Sequence, residues 1–186
     1  MHVMARLAAV ALLLVAAACA EPLAHGDYAA HYGSVGELVE AADAVVVGRV
    51  AGTSRGRVLD QGDVVLTIMD VRVAVERVWA GRMPAPSFTI EQTGWERVDR
   101  RSGWRGLLDP AGEREWRLEG ELRLEEDDRG VFFLARSPQA PGWELLAPEA
   151  LYLVDGAELA DTERSDPTVR RIESMTVAQL EAAVRR

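Results

Sequence analysis

The clearest pattern in the chain is the alternation of apolar and polar residues over positions 64–79. Valine, threonine and methionine recur at every second position from Val65 to Val75, and the opposite face carries Asp70, Arg72, Ala74 and Glu76. A repeat of two residues is that of a β-strand with one face buried. The alternation breaks at Arg77-Val78, where we expect a bulge or a bend.

Shorter runs predict the remaining strands. They are apolar or alternating and are bounded by glycine, proline or charged residues, as strands in a sheet usually are. They cover residues 44–50, 87–92, 117–125, 131–135, 143–146 and 150–154. Residues 53–63 are rich in glycine and polar side chains, so we expect a turn or hairpin connection there.

Two helices are expected, one at each end of the strand region. Ser34 and Glu37 have the spacing of a capping box, and apolar residues at helical spacing follow, which predicts a helix over 35–42. A second helix is expected near the C-terminus, capped by Ser174 or Thr176. Its apolar stripe contains Val177, Leu180 and Val184.

These elements predict a mainly β fold. Five to seven short strands with a short N-terminal helix and a C-terminal helix are typical of a small β-barrel or sandwich. We assign residues 34–160 to this domain and residues 161–186 to a polar loop followed by the C-terminal helix.

The N-terminal residues have the pattern of an export signal. An uninterrupted apolar run of Leu, Ala and Val over residues 7–18 follows the single positive charge of Arg6. A membrane-spanning helix needs about 17–25 apolar residues, so this run is too short to span the membrane. We therefore interpret residues 1–18 as a signal peptide.

The end of this run, Val15-Ala16-Ala17-Ala18-Cys19, resembles the bacterial lipobox. The resemblance implies that Cys19 carries a lipid, that residues 19–33 form a lipidated tether, and that the protein lies on the extracytoplasmic side of the cell membrane. Ala16 stands where lipoboxes usually have leucine. Ordinary cleavage after Ala18 or Ala20, which would give a secreted soluble protein, therefore remains an alternative.

Three segments resemble netrin-like and tissue-inhibitor-of-metalloproteinase-like domains: residues 42–50, 75–81 and 129–134. The resemblance implies an OB-like β-barrel. The inhibitory mechanism of that family does not carry over, because it requires a disulfide at an N-terminal cysteine. Cys19 is the only cysteine of this chain, so no intramolecular disulfide can form.

The charge of the chain excludes some partners. The formal net charge is −9, and removal of the signal peptide takes away Arg6 and lowers it to −10. Nucleic-acid binding requires a basic surface, so no nucleic acid is expected as a partner. Contact with the membrane should depend on the N-terminal lipid. All 21 basic residues are arginine, a codon bias typical of GC-rich bacterial genomes such as those of actinobacteria.

No residue cluster forms a recognisable catalytic motif. His25, Asp27 and His31 lie close together, but the spacing of the two histidines fits one face of neither a helix nor a strand, so we interpret them as a solvated tether. The acidic run 125–128 lacks the alternation of a calcium loop and predicts a charged turn. No catalytic, cofactor-binding or metal-binding residue is therefore predicted.

The segment 93–116 is the strongest candidate for a binding surface. It predicts a long loop that combines tryptophan with arginine, the residue types enriched in binding hot spots. The predicted contact residues are Trp95, Arg97, Arg101, Trp104 and Arg105. Alternatively, these tryptophans fold back and plug the end of the barrel. The leading hypothesis is a non-enzymatic protein- or glycan-binding module of the cell envelope. A small envelope hydrolase or metal-dependent enzyme is the alternative.

Overall fold

A computed structural model describes residues 23–24, 32–60, 64–98, 112–115, 117–118, 121–137, 142–162 and 164–186. The described helices are α1 (Val35–Ala41), α2 (Pro167–Glu173) and α3 (Val177–Val184). The described strands are β1 (Leu23–Ala24), β2 (Ala44–Asp60), β3 (Val64–Gly81), β4 (Ser87–Val98), β5 (Gly112–Glu115), β6 (Arg117–Leu118), β7 (Arg129–Arg136), β8 (Trp143–Leu145), β9 (Leu151–Asp155) and β10 (Glu158–Leu159). None of the helices in these ranges is long and apolar enough to span a membrane.

Most strands belong to one antiparallel sheet, which confirms the mainly β fold. Its order is β10-β9-β7-β2-β3-β4-β5, and β8 pairs with the end of β7. β1 and β6 form a separate parallel pair.

The sheet is not closed, so the prediction of a barrel is wrong. No hydrogen-bonded pairing joins β5 to β10 within the described part of the chain. A closed barrel requires every strand to be paired on both sides with one consistent stagger. Here one edge of β7 pairs with β9 along its first half and with β8 along its second half. The last strand of the sheet, β10, is only two residues long.

The sheet separates two hydrophobic cores. The helix-side core contains apolar residues of all three helices, together with Val45 of β2 and Phe133 of β7. The strand-side core contains the neighbouring residues Val46 and Phe132 and apolar residues of β3 and β4. Trp143 of β8 also packs on the strand-side core, so the sheet curls around it without closing. Both faces of β7 and of the first part of β2, from Ala44 to Gly48, are thus buried, which explains the continuous apolar sequence there.

β2 and β3 form a hairpin that is longer than its apolar sequence indicates. Pairing continues to Asp60 opposite Val65, so the predicted turn at 53–63 is wrong over residues 53–60. Apart from Val58 and Leu59, the side chains there are small, polar or charged, and most are exposed, so no apolar alternation marks the strand. The predicted irregularity of β3 is confirmed, since the register skips Glu76 and Trp79, on either side of Arg77-Val78.

The helix caps follow their sequence signals. The Ser34 hydroxyl accepts from the Glu37 backbone N–H at 3.3 Å. Of the two candidates for the last helix, Thr176 is the N-cap, and it forms a reciprocal capping box with Gln179. The structure also contains α2, which the hydrophobic pattern did not predict. Asp166 caps this helix and Pro167 is its first residue.

Candidate partner-binding site

The structure locates only part of the predicted contact set. Trp95 lies on β4, is half-buried, and pairs with Thr67 of β3. Arg97 lies on the same strand, where its backbone pairs with Val65. Arg101, Trp104 and Arg105 lie outside the described residues.

The prediction of one long loop over 93–116 is wrong at both ends. Its first residues, through Val98, continue β4, and β5 pairs with them. The reason is that a strand edge can be extended by backbone pairing without an apolar pattern, as in the distal half of β2.

Two arginine side chains lie over the Trp95 ring. The guanidinium carbon of Arg55, on β2, is 5.4 Å from the ring centroid, and that of Arg123 is 5.3 Å from it. Both distances are within the range of cation–π attraction. We call Arg55, Trp95 and Arg123 the Trp95–arginine cluster. Neither arginine belongs to the predicted contact set. Arg55 comes beside this ring only through the register of β2, β3 and β4, and Arg123 lies outside the segment 93–116.

A bulge at Gly94 sets the direction of Trp95. Thr67 pairs with Trp95 and Ile68 pairs with Thr93, so Gly94 is the extra residue. A Cβ atom on Gly94 would lie 2.5 Å from the Thr67 carbonyl oxygen, closer than side chains tolerate. The bulge moves Trp95 onto the sheet face of Gln92, as bulges beside binding sites commonly do.

Side-chain hydrogen bonds hold the segment 121–124 against β4. The Glu121 carboxylate accepts from the Thr93 N–H at 2.8 Å and also from the Thr93 hydroxyl. Gln92 accepts from the Leu124 N–H at 3.2 Å, and Leu124 is buried in the strand-side core. These contacts flank Arg123 on both sides in the sequence and so fix it beside Trp95.

The Trp95–arginine cluster is partly accessible to solvent. Arg55 is exposed, whereas Trp95 and Arg123 are half-buried. The cluster therefore combines a held aromatic ring with arginine at the protein surface, the residue types enriched in binding hot spots.

The opposite face of the same strands has a shallow polar groove of about 330 Å³. Its lining residues are Gly52, Thr53, Ser54, Asp70, Arg72 and Thr89. Beside it, Arg57 and Glu91 form an exposed ion pair at 2.7 Å. The sequence did not indicate this groove, because its residues come from three strands with no shared motif.

A buried ion pair lies beside the helix-side core, next to α2 and β9. Arg164 donates to Glu173 of α2 at 2.8 Å and to the Leu151 carbonyl at 2.9 Å, and it stacks on Tyr152 at 5.2 Å. Its second guanidinium nitrogen, Nη1, has no hydrogen-bond partner within the described ranges. Burial raises the pKa of Tyr152 well above its usual range, and Arg164 lowers it in part. These contacts join α2 to β9.

The described ranges contain no group of three or more His, Cys, Asp or Glu residues placed to hold a metal ion. His25, Asp27 and His31 lie outside those ranges, as does Cys19.

The chain was compared with known proteins. No protein-family model matches it, and no curated protein shows significant similarity to its sequence.

Proposed function

We propose that this protein is an exported lipoprotein, anchored by a lipid on Cys19, whose β domain is a non-enzymatic binding module for a protein or glycan of the cell envelope. The apolar run 7–18 followed by Cys19 supports the export and the anchor. The binding role rests on one observation, the Trp95–arginine cluster.

The cluster has the composition and the partial exposure of a binding hot spot. Trp and Arg are enriched among the residues that dominate interface energies. Trp95 is held by a bulge and by two stacked cations, so little ordering of the ring is needed when a partner binds.

The anchor is tested by intact mass and membrane fractionation of the protein expressed in a bacterial host that processes lipoproteins. The expected product begins at an acylated Cys19 and sediments with membranes. Cys19→Ser is the control, and it should leave the membrane fraction or remain unprocessed. A soluble wild-type product beginning at an unmodified Cys19 or at Glu21 would contradict the anchor and support secretion.

The binding role is tested by crosslinking intact cells and quantifying the adducts of the protein. Trp95→Ala should remove most of the adduct formed by the wild type, because it removes the ring on which both guanidiniums stack. Arg57→Gln is the matched control, since Arg57 is on the opposite face of β2 from the cluster, and its adduct should remain. Circular dichroism must show that both variants are folded. An undiminished adduct in folded Trp95→Ala would contradict the proposed site.

A further inference from the structure

We infer that the shallow polar groove on β2, β3 and β4 is a second binding site, and that its ligand is a neutral, polyhydroxylated molecule, that is, a sugar. The groove lies on the opposite face of these strands from the Trp95–arginine cluster, so the inference does not depend on the proposed function. It rests on the position of the groove, on polar groups that have no partner within the protein, and on the balance of their charges.

The groove lies on the face of β3 that is turned away from the strand-side core. Asp70 and Arg72 alternate along β3 with residues that are buried in that core. The register places Ser54 of β2 opposite Asp70. It places Gly52 of β2 and Thr89 of β4 on either side of Arg72. A Cβ atom on Gly52 would have no neighbour within 4 Å, so the groove is open beside Arg72.

The two charged side chains of the groove are not engaged by the protein. Their neighbours Arg57 and Glu91 pair with each other at 2.7 Å. Within the described ranges, neither Asp70 nor Arg72 forms a hydrogen bond or an ion pair, and the hydroxyls that line the groove form no hydrogen bond. A carboxylate accepts on two oxygens, and a guanidinium donates from five N–H groups. Both sets of groups are therefore available to a ligand.

Gly56 of β2 positions the Asp70 carboxylate. A Cβ atom on Gly56 would lie 2.5 Å from Asp70 Oδ1 and 2.8 Å from the carboxyl carbon, so the carboxylate lies directly against the glycine. Any other residue at position 56 would displace it. Asp70 also belongs to a strand that is paired on both sides, with Ser54 and with Glu91. A group that is held before binding loses less conformational freedom when a ligand binds.

The balance of charge in the groove favours a neutral ligand. Asp70 and Arg72 are two residues apart on one strand, which corresponds to about 7 Å. A simple anion is repelled by Asp70 and a simple cation by Arg72. None of the six lining residues has a large apolar side chain, so an apolar ligand would gain little.

The hydrogen-bonding groups of the groove match those of a sugar. Adjacent hydroxyls of a sugar both donate and accept, so they can pair with a carboxylate, a guanidinium and neighbouring hydroxyls at the same time. Ser54 and Thr89 provide such hydroxyls on either side of β3. The volume of about 330 Å³ is within the range of small-molecule pockets and larger than a single ion requires.

The test is titration of the isotope-labelled protein with neutral sugars, followed by heteronuclear NMR. The sugars are glucose, mannose, galactose and N-acetylglucosamine, which differ in the arrangement of their hydroxyls. The protein is used as the cell processes it, in a detergent without a sugar headgroup if it carries a lipid. At least one sugar should shift the amide signals of Ser54, Asp70 and Arg72 in a saturable manner. We expect millimolar affinity, because the groove is open and has no aromatic ring, and no effect of salt, because the ligand is uncharged.

Substitutions of the two charged residues test whether they hold the sugar. Arg72→Gln and Asp70→Asn should each weaken the binding by about tenfold, because each removes charge-assisted hydrogen bonds. Both variants should remain folded, since neither side chain has a partner within the described ranges, and the same spectra show whether they do. Arg82→Gln is the matched control. Arg82 is also exposed but lies beyond the end of β3, so this variant should bind within about twofold of the wild type.

Phosphate and glycine betaine represent the other classes of ligand, an anion and a zwitterion. Asp70→Asn distinguishes them from a sugar, because loss of its negative charge would strengthen the binding of phosphate and weaken that of a sugar. The inference is overturned if no sugar shifts the signals of the groove, if Arg72→Gln binds as the wild type does, or if phosphate or betaine binds more tightly than every sugar.

The outcomes also separate this inference from the proposed function. A sugar that shifts the signals of Trp95 and not those of the groove would contradict the inference and support a glycan at the Trp95–arginine cluster. If a sugar binds in the groove and the cellular adduct survives in folded Trp95→Ala, the groove stands as a site and the proposed contact at Trp95 is wrong.

Discussion

At the scale of single residues, the Arg164–Glu173 pair differs from the surface ion pairs of the described chain by its burial. The two side chains are 6% and 4% exposed, so their charges are almost fully withdrawn from water. Removal of one member of a buried pair leaves the other charge without compensation, which is usually worse than replacing both.

Glu173→Gln should therefore lower the free energy of unfolding by about 3–5 kcal/mol. The double variant Arg164→Met/Glu173→Leu should be less destabilised than Glu173→Gln, because no charge is left buried. Urea denaturation of the three proteins measures the difference. If the double variant is the least stable of the three, the hydrogen bonds of Arg164 matter more than the burial of its charge.

Tyr152 makes stability depend on pH in the alkaline range. Burial raises its pKa in the folded protein above the value of 10.0 expected when it is exposed. Unfolding then releases a proton once the pH exceeds about 10, so the stabilisation is complete below that pH and is lost progressively as the pH rises further. The chain contains no lysine, so few other groups titrate there.

We expect the free energy of unfolding to fall by up to about 1.4 kcal/mol per pH unit above pH 10. In Tyr152→Phe this slope should largely disappear, because the phenol that titrates is absent. Urea denaturation of both proteins at several pH values between 8 and 11 checks this. An equal slope in the two proteins would assign the effect to other groups.

At the scale of elements, capping signals and apolar periods were sufficient to predict those helices and strands that are determined by local sequence. Ser34 and Thr176 cap helices as their sequences indicate, and β3 and β7 follow their apolar patterns. The distal half of β2 and the end of β4 could not be predicted in this way, because pairing with neighbouring strands decides them.

The candidate site was predictable only in part for the same reason. Trp95 belongs to a cluster of tryptophan and arginine that is visible in the sequence. Arg55 comes from the strand mistaken for a turn, and its position beside Trp95 requires the sheet register and the Gly94 bulge. No pattern in a single sequence fixes a register between strands that are this polar.

The start of helix α2 could have been predicted from the sequence, because Asp166 followed by Pro167 is a typical helix N-terminus. The Asp166 carboxylate accepts from Thr168 N–H at 2.7 Å and from Val169 N–H at 3.0 Å. Asp166→Ala should therefore lower the free energy of unfolding by about 1–2 kcal/mol. Thermal unfolding of Asp166→Ala and of the exposed neighbour Ser165→Ala tests this, and equal stability of the two variants would contradict the role of the cap.

At the scale of the whole molecule, two cores share the same central strands. Val45 faces the helix-side core and Val46 the strand-side core, and both are fully buried. Loss of pairing along β2 exposes both cores at once, so we expect them to unfold together.

Val45→Ala and Val46→Ala should each destabilise the protein by about 1–3 kcal/mol and leave a single unfolding transition. Circular dichroism in the far ultraviolet reports the sheet, and near-ultraviolet bands report the packed aromatic rings. Coincidence of the two signals in both variants confirms a single cooperative unit. Two separated transitions in either variant would show that the cores unfold independently.

The length of the β2–β3 hairpin determines how far the proposed contact surface can lie from the start of β2. The chain enters β2 at Ala44, directly after α1, and arrives at Arg55 eleven residues later. At about 3.3 Å per residue this corresponds to up to about 36 Å along the strand. The proposed contact surface therefore stands well away from the helix at which the chain enters the domain. If the chain is held at residues that precede α1, the distal part of the hairpin would lie at up to this distance from the attachment point, so a partner could bind it without contacting the helices.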